Sequence, residues 1–215
     1  MSAMQVTVLG GTGKIGRRVV EQLLAAGHQV TALVRTPRKL GLDHPRLTVR
    51  IGQLSDPDAV RDAVTGSDAV ISALGPSLKP GAKGTPLTEG TRTIVTAMQQ
   101  AGVRRFIGLA TPSVPDSRDR PTLKAKVLPV LAKTMFPHAL TDLVGMTAAV
   151  TGSDLDWTIA RITNPTDKPP SGTVRAGFLG VDKVGSAMSR ADIATFLVGQ
   201  LDDHTYLRAA PAISN

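Results

Sequence analysis

The sequence predicts an α/β fold, a doubly wound parallel sheet, and three observations lead there. Short runs of β-branched and apolar residues alternate with segments of helical apolar spacing along most of the chain, the order that produces a parallel sheet with helices on both faces. Several strand-like runs are apolar almost throughout, as a sheet covered on both sides requires. A glycine-rich turn joins the first strand to the first helix, which makes the expected architecture Rossmann-type. At 215 residues the chain can bury a sizeable core, and residues 1–215 read as a single domain with a small substrate-side elaboration late in the chain.

Each element has its own signal. Gln5–Leu9 (QVTVL) reads as the first strand and ends in glycines. Ile15, Val19, Val20, Leu23 and Leu24 follow helical spacing, and Gly27 stands where a helix C-terminus favours glycine. Val30–Val34 and Leu47–Ile51 read as the second and third strands. Ser55 and Asp58 form a capping-box pattern ahead of Ala59, Val60, Ala63 and Val64. Ala69–Ser72 is the fourth strand. Leu87, Ile94, Val95 and Met98 mark a helix that stops near Gly102. Arg105–Ala110 and Asp156–Arg161 are the fifth and sixth strands. Ser189 and Asp192 box a last helix carrying Ile193, Phe196, Leu197 and Leu201, and Thr205–Ala209 is expected to close the chain as a short strand.

Two stretches break the alternation. Residues 112–141 carry Pro112, Pro115, Pro121, Pro129 and Pro137, and Leu123, Val127, Leu128 and Leu131 suggest a short helix among them. Residues 163–188 are rich in Pro, Gly and Lys, with one candidate strand at Val174–Phe178. Long connections after late strands are where substrate sites are built on such sheets, although tolerated surface insertions would read the same way. The stretch 112–141 suits a lid, a dimer surface or both, and the chain suits a monomer or a homodimer.

Composition excludes several classes. Cysteine is absent, which removes disulfides, Cys-ligated zinc, iron–sulfur clusters and thiol catalysis. His28, His44, His138 and His204 are scattered without metal-ligand spacing; they read as structural or exposed, with His138 alone a weak site candidate, so no metal site is expected. No run approaches a membrane span, and no basic region precedes a long apolar one, which points to a cytoplasmic chain without a signal peptide. The net charge is +8, a surplus that suggests an anionic partner or only solubility. It is clustered. Residues 1–40 hold Lys14, Arg17, Arg18, Arg35, Arg38 and Lys39 against Glu21 alone, and residues 104–133 hold Arg104, Arg105, Arg118, Arg120, Lys124, Lys126 and Lys133 against Asp116 and Asp119. Aromatic residues make up only 3%, too few for base-stacking platforms, so nucleic acid ranks last among the partners.

The segment VTVLGGTGKIGRRVV carries the most information. Gly10, Gly13 and Gly16 give G-x-x-G-x-x-G, while Gly11, Gly13 and Gly16 give G-x-G-x-x-G. In either register one glycine allows the tight turn, another lets the backbone approach a pyrophosphate, and Gly16 lets the helix pack close. The pyrophosphate then meets the free N–H groups at the positive end of the helix. About 20 residues on, an NAD enzyme places an acidic residue for the ribose hydroxyls; this chain has Arg35, followed by Arg38 and Lys39. A guanidinium suits a 2′-phosphate, so NADP(H) is the expected cofactor.

GGTGKIG, ALVRTPRKL, GSDAVISALG, TEGTRTIVTAMQQAGVRRFIGLA, SDLDWTIARI and SRADIATFLVGQL occur in this order. Together they resemble the atypical short-chain dehydrogenase/reductase superfamily, and within it the NAD(P)H-binding, NmrA-like branch that includes biliverdin reductase B, a flavin reductase. The resemblance implies that Gly10, Thr12, Gly13, Lys14 and Ile15 lie along the pyrophosphate and that Arg35 holds the 2′-phosphate with Arg38 or Lys39 nearby. It implies that Gln53 and Leu54 flank the adenine, that Ala73, Leu74 and Gly75 flank the nicotinamide-side ribose, and that Thr111 stands beside the nicotinamide where relatives often carry Ser. The superfamily's Tyr-x-x-x-Lys pair is missing: the only tyrosine is Tyr206, and the helix ahead of DWTIAR has Thr147 and Ala148 where relatives often carry an ionisable group.

That departure selects the chemistry. A flavin, quinone or tetrapyrrole takes hydride into a conjugated system whose anion solvent can protonate, so it needs little beyond positioning. Thr111 is the candidate for orienting such an acceptor. Asp142 is the candidate ionisable group, with a helix-cap role the competing reading. Trp157 reads as core packing and Glu89 as helix surface near the ribose. The second basic cluster suggests an anionic small-molecule acceptor. The leading expectation is an NADPH-dependent reductase of a conjugated acceptor; a non-catalytic NADP(H)-binding redox sensor is the alternative, and an isomerase or dehydratase using bound NADP comes third.

Overall fold

A computed structural model describes residues 3–78, 83–121 and 134–215. Six strands form a parallel array: β1 (Gln5–Leu9), β2 (Gln29–Val34), β3 (Leu47–Ile51), β4 (Ala69–Ser72), β5 (Arg105–Ala110) and β6 (Asp156–Arg161). The helices are α1 (Lys14–Ala25), α2 (Pro57–Val64), α3 (Pro86–Gln100), α4 (Pro137–Thr151) and α5 (Arg190–Gly199). Late strands β7 (Pro165–Thr166), β8 (Arg175–Gly177), β9 (Met188–Ser189) and β10 (Ala212–Ser214) complete the set. The main sheet has 8 strands in the order β3-β2-β1-β4-β5-β6-β10-β8, with β8 antiparallel to β10, while β7 and β9 pair separately. The order reverses between β1 and β4, the point at which open α/β sheets leave a crevice beyond the strand C-termini.

Helices cover both faces of the central strands, which explains why those strands are mainly apolar. On one face Val19, Val20 and Leu23 of α1 pack with Ile193 and Leu197 of α5 over Val6, Val8 and Ile71. On the other, Val60 of α2, Ile94 and Met98 of α3 and Leu143, Met146 and Val150 of α4 pack over Val70 and Phe106. Leu23, Ile94 and Ile193 are fully buried, and each contributes about 1.5–3 kcal/mol relative to exposure. Trp157 lies in this core as expected. Among the described residues no helix is long and apolar enough to cross a membrane, and no cluster of His, Asp and Glu could hold a metal.

Three local readings change. The cap of α2 is Asp56 and not Ser55: Pro57 sets the first helical position, and the Asp56 carboxylate accepts from the N–H groups of Asp58 and Ala59. Residues 205–208 form turns instead of a strand. Thr205 N–H donates to Asp203, Leu207 N–H folds back to the His204 carbonyl, and Arg208 takes a left-handed φ of 50°. Only Ala209 bridges to Thr158, and the closing strand is β10. The strand expected at Val174–Phe178 shortens to Arg175–Gly177. The short helix suggested around Leu123–Leu131 lies outside the described residues.

Candidate functional site

The glycine turn chooses between the two registers. Gly10 has φ +79°, and a side chain there would come within 3.0 Å of the Ala73 carbonyl carbon and oxygen. Gly13 donates its N–H to the Gly10 carbonyl at 2.9 Å and starts α1. A Cβ on Gly16 would stand 2.2 Å from the Gly10 oxygen, so only glycine lets α1 rest on the turn. Gly11 is different: a Cβ there would find ordinary contacts at 3.5 Å or more. The working pattern is therefore Gly10, Gly13, Gly16. Gly13 provides no side-chain cap and the first turn of α1 holds no acidic residue, which leaves the first-turn N–H groups for an anionic ligand.

A cleft of about 710 Å³ opens from this turn along the sheet's C-terminal edge. Gly10, Thr12, Arg35, Gln53, Leu54, Leu74 and Gly75 line it, so much of the expected cofactor set converges from β1, β2, β3 and β4. Arg35 is exposed at the end of β2 and has no hydrogen-bond or ion-pair partner among the described residues. Arg38 and Lys39 lie on the exposed turn Pro37–Lys39, beyond the cleft lining. Ala73 sits behind the floor, its N–H bonded to the Leu9 carbonyl at 2.9 Å and its carbonyl against Gly10. Ile15 is partly buried and packs against the core on the α1 face of the sheet. Lys14 extends the other way, its Nζ 2.8 Å from Asp167, which also pairs with Arg190 at 2.8 Å. The Lys14 ammonium, opposed weakly by burial and helped by Arg190, holds the Asp167 carboxyl below the usual carboxylate range.

The remaining wall comes from α3. Pro86, Leu87, Glu89, Gly90 and Thr93 line the cleft; of these, only Glu89 is expected there from the sequence. Gly90 is the one legible signal, since a Cβ there would reach within 2.7 Å of Leu54. Asp142 lies on the second turn of the neighbouring helix α4 and is almost fully buried, at 3% exposure. Its carboxylate accepts from the Leu87 N–H at 3.0 Å and the Thr88 N–H at 2.7 Å, and its own carbonyl accepts from the Thr88 hydroxyl at 2.8 Å. Asp142 therefore caps α3 from α4, across the helix pair rather than within its own helix. Truncation to Asp142→Ala leaves those donors without an acceptor and is expected to lower stability by about 1–2 kcal/mol. Denaturant titration checks this, and Asp142→Asn should retain part of the cap.

Thr111 lies outside the cleft. It lines a second, mainly apolar pocket of about 340 Å³ that meets the cleft at Pro76. Phe136, Leu140 and Ile162 form much of its described wall. The loop after β5 that supplies Thr111 is held by a buried ion pair. Arg161, at 0% exposure, reaches Asp119 through both terminal nitrogens, at 2.5 and 2.7 Å. Asp119 also accepts from the N–H groups of Asp116 and Leu179, both at 2.9 Å.

The second basic cluster does not assemble among the described residues. Arg104 and Arg105 lie at the opposite, N-terminal end of β5. Arg104 pairs with Asp156, and Arg105 is buried against the Gln200 and Asp156 carbonyls. Burial pushes the Arg105 guanidinium down to about 10, against the raising effect of Asp156 and Asp203. Arg118 pairs with Asp116 and stacks 4.6 Å from the Phe178 ring centroid. Lys124, Lys126 and Lys133 fall outside the described residues. Tyr206 is also remote from the cleft: its hydroxyl donates to the Ala176 carbonyl at 3.0 Å, between Phe178 and Phe196. Burial, aided by Asp182 and Asp203, raises its pKa.

His28 is buried and accepts from the Met4 N–H, and His138 and His204 are exposed.

A family model described as NAD(P)H-binding matches residues 10–204. A 3-beta-hydroxysteroid dehydrogenase of Mycolicibacterium neoaurum is 38% identical over 120 residues, covering 51% of this chain and 32% of that protein. The chain spans less than half the length of the curated relatives it matches. A short-chain dehydrogenase/reductase from Veillonella parvula, solved with NADP, superposes with a TM-score of 0.79 at 20% identity, covering 100% of this chain and 95% of that one. ChuY of Escherichia coli O157:H7, described as an anaerobilin reductase, superposes with a TM-score of 0.78 at 20% identity over 98% of this chain and 96% of its own. Likeness at these identities establishes the shared fold.

Proposed function

The chain belongs to the NAD(P)H-binding family, and on that premise we propose that it is an NADPH-dependent reductase that passes hydride to a conjugated small-molecule acceptor. The observation that carries the proposal is the junction at Pro76, a residue shared by the mixed polar and apolar cleft that includes the glycine turn and by the apolar pocket that includes Thr111. The cleft fits the cofactor. Its open helix N-terminus suits a pyrophosphate, and the unpaired Arg35 suits a 2′-phosphate. Gln53 and Leu54 would flank the adenine, and Leu74, Gly75 and the Ala73 backbone would border the second ribose. When bound, NADPH supplies the hydride.

The chain's own part is positioning. Thr111 would orient the acceptor through its hydroxyl, and the apolar wall would exclude water from the transfer. Asp142, with its carboxylate engaged by two N–H groups of α3, would act as a positioning residue that keeps α3 against the cofactor cleft. No phenol–lysine pair is needed, because the reduced acceptor is a delocalised anion that solvent protonates. Reductase activity of this kind also accords with the name of ChuY.

The test mixes the protein with NADPH and follows the reduced-nicotinamide absorbance while flavins, quinones and biliverdin are added. Acceptor-dependent oxidation is expected. Arg35→Ala should weaken NADPH binding about 10–100-fold, the loss of a charged contact to phosphate, and leave NADH binding nearly unchanged. NADPH and NADH bound equally well by the unaltered protein would overturn the phosphate assignment. A second reading has one observation behind it: among the described residues no ionisable side chain lines the apolar pocket, which also suits a non-catalytic redox sensor. Tight NADPH binding with no oxidation by any acceptor would favour that sensor.

A further inference from the structure

The apolar pocket bears on which acceptors can enter. Its described lining contains no charged side chain; its polar groups are the hydroxyls of Thr111, Ser113 and Thr163, among Leu78, Phe136, Leu140 and other apolar residues. Its volume of about 340 Å³ is less than half that of the cofactor cleft and near the lower end of the roughly 300–1,000 Å³ usual for small-molecule sites. Arg118 is engaged by Asp116 and the Arg208 carbonyl, and Arg161, at the end of β6, by Asp119 and the Val114 carbonyl; Lys83, Lys168, Arg175 and Lys183 on the neighbouring connections do not line the pocket. Arg120 is exposed and does not line the pocket. An anionic acceptor placed here would lose its hydration and meet no counter-charge among these residues.

We infer that the pocket selects an uncharged, apolar ring acceptor, of the size of an alkyl-substituted benzoquinone or naphthoquinone, and discriminates against anionic acceptors. This rests on the reductase reading only for the ligand's role as hydride acceptor. The quinone takes hydride from NADPH at a carbonyl oxygen and one proton from water. Its two carbonyls become a hydroquinone, and NADPH and one proton are consumed for each NADP+ and hydroquinone formed. The Thr111 hydroxyl, one of the pocket's three described hydroxyls, donates to the carbonyl that carries the developing negative charge. The apolar wall from Phe136 to Ile162 covers the rest of the ring.

Equilibrium binding to the NADP+-loaded protein, measured by calorimetry, compares 2-methyl-1,4-naphthoquinone with 1,4-naphthoquinone-2-sulfonate. The neutral quinone should bind at least about tenfold more tightly. Equal or tighter binding of the sulfonate, or binding of neither, would overturn the inference. Leu140→Lys places an ammonium in the wall on a half-buried stem that can reach solvent; it should narrow or reverse the ratio. An unchanged ratio would show that binding lies elsewhere and would overturn the assignment. Thr163→Lys, at an exposed position in the same wall, gives the same comparison if Leu140→Lys does not fold. Neutral-quinone binding without NADPH oxidation would sink the reductase reading while leaving the pocket's preference standing.

Discussion

Gly16→Ala is expected to destabilise the protein by about 1–3 kcal/mol and to weaken NADPH binding by on the order of a hundredfold. The added methyl would stand 2.2 Å from the Gly10 carbonyl oxygen and 3.0 Å from the Gly11 Cα. Both neighbours are backbone, so no side chain can rotate aside. The N-terminus of α1 must lift away from the turn, and the N–H groups that would meet the pyrophosphate move with it; each charged hydrogen bond lost there costs about 1.5–3 kcal/mol. Gly11→Ala is the matched control. Its methyl would meet Val20, Leu40 and Ala32 side chains at 3.5–3.9 Å, ordinary contact, so stability and affinity should stay within a few-fold of the unaltered protein. Denaturation and NADPH titration of both variants decide the matter: equal effects from the two substitutions would refute the assigned glycine register.

The second large effect is expected at the buried pair behind the apolar pocket. Asp119→Ala leaves the fully buried Arg161 with the Val114 carbonyl as its remaining described acceptor, and an uncompensated buried charge costs about 3–5 kcal/mol. The double variant Asp119→Leu with Arg161→Met should recover much of that loss, because it removes both charges. A double variant no more stable than the single one would show that the pair's value lies elsewhere. Acid should expose the same interaction. Burial acts to raise the Asp119 carboxyl, but Arg161 and the N–H groups of Asp116 and Leu179 outweigh it and hold the carboxyl below its usual range. A carboxyl depressed on folding contributes fully above its unfolded value of about 3.9 and loses that contribution as pH falls through the folded value. The stability gap between the unaltered protein and Asp119→Ala should therefore be constant near neutrality and shrink below about pH 4.

Much of this protein was legible in one dimension. Strand positions β1, β4, β5 and β6 follow from largely apolar runs, because a sheet covered on both faces leaves few places for a polar residue to point; β3, at the sheet edge, is mostly exposed and alternates apolar with polar residues. The glycine turn was legible for a similar reason, since close backbone approach admits few residue types, and Arg35 stands exposed in the cleft lining where a 2′-phosphate is proposed. The cap of α2 was misread by one residue because Ser55 and Asp56 both qualify chemically, and Pro57 settles which of them precedes the helix. Residues 205–208 looked like a strand because Thr, Tyr and Leu favour one. Asp203 and the left-handed Arg208 turn the chain instead.

The sequence by itself determined the parallel sheet, the glycine turn between β1 and α1 and the NAD(P)H class of cofactor, since each depends on spacing within short segments. Tertiary structure alone decided which glycine of the pair packs against Ala73 and that Asp142 caps α3 from another helix. It decided that Arg161 and Asp119 pin the loop carrying Thr111, and that Arg104, Arg105 and Arg118, among the described basic residues after 104, are each engaged at separate places. The first three of those outcomes join residues between about 40 and 65 positions apart. A one-dimensional pattern carries no distance across such gaps; only the packed sheet, by setting which loops meet at its edge, gives the charges their partners.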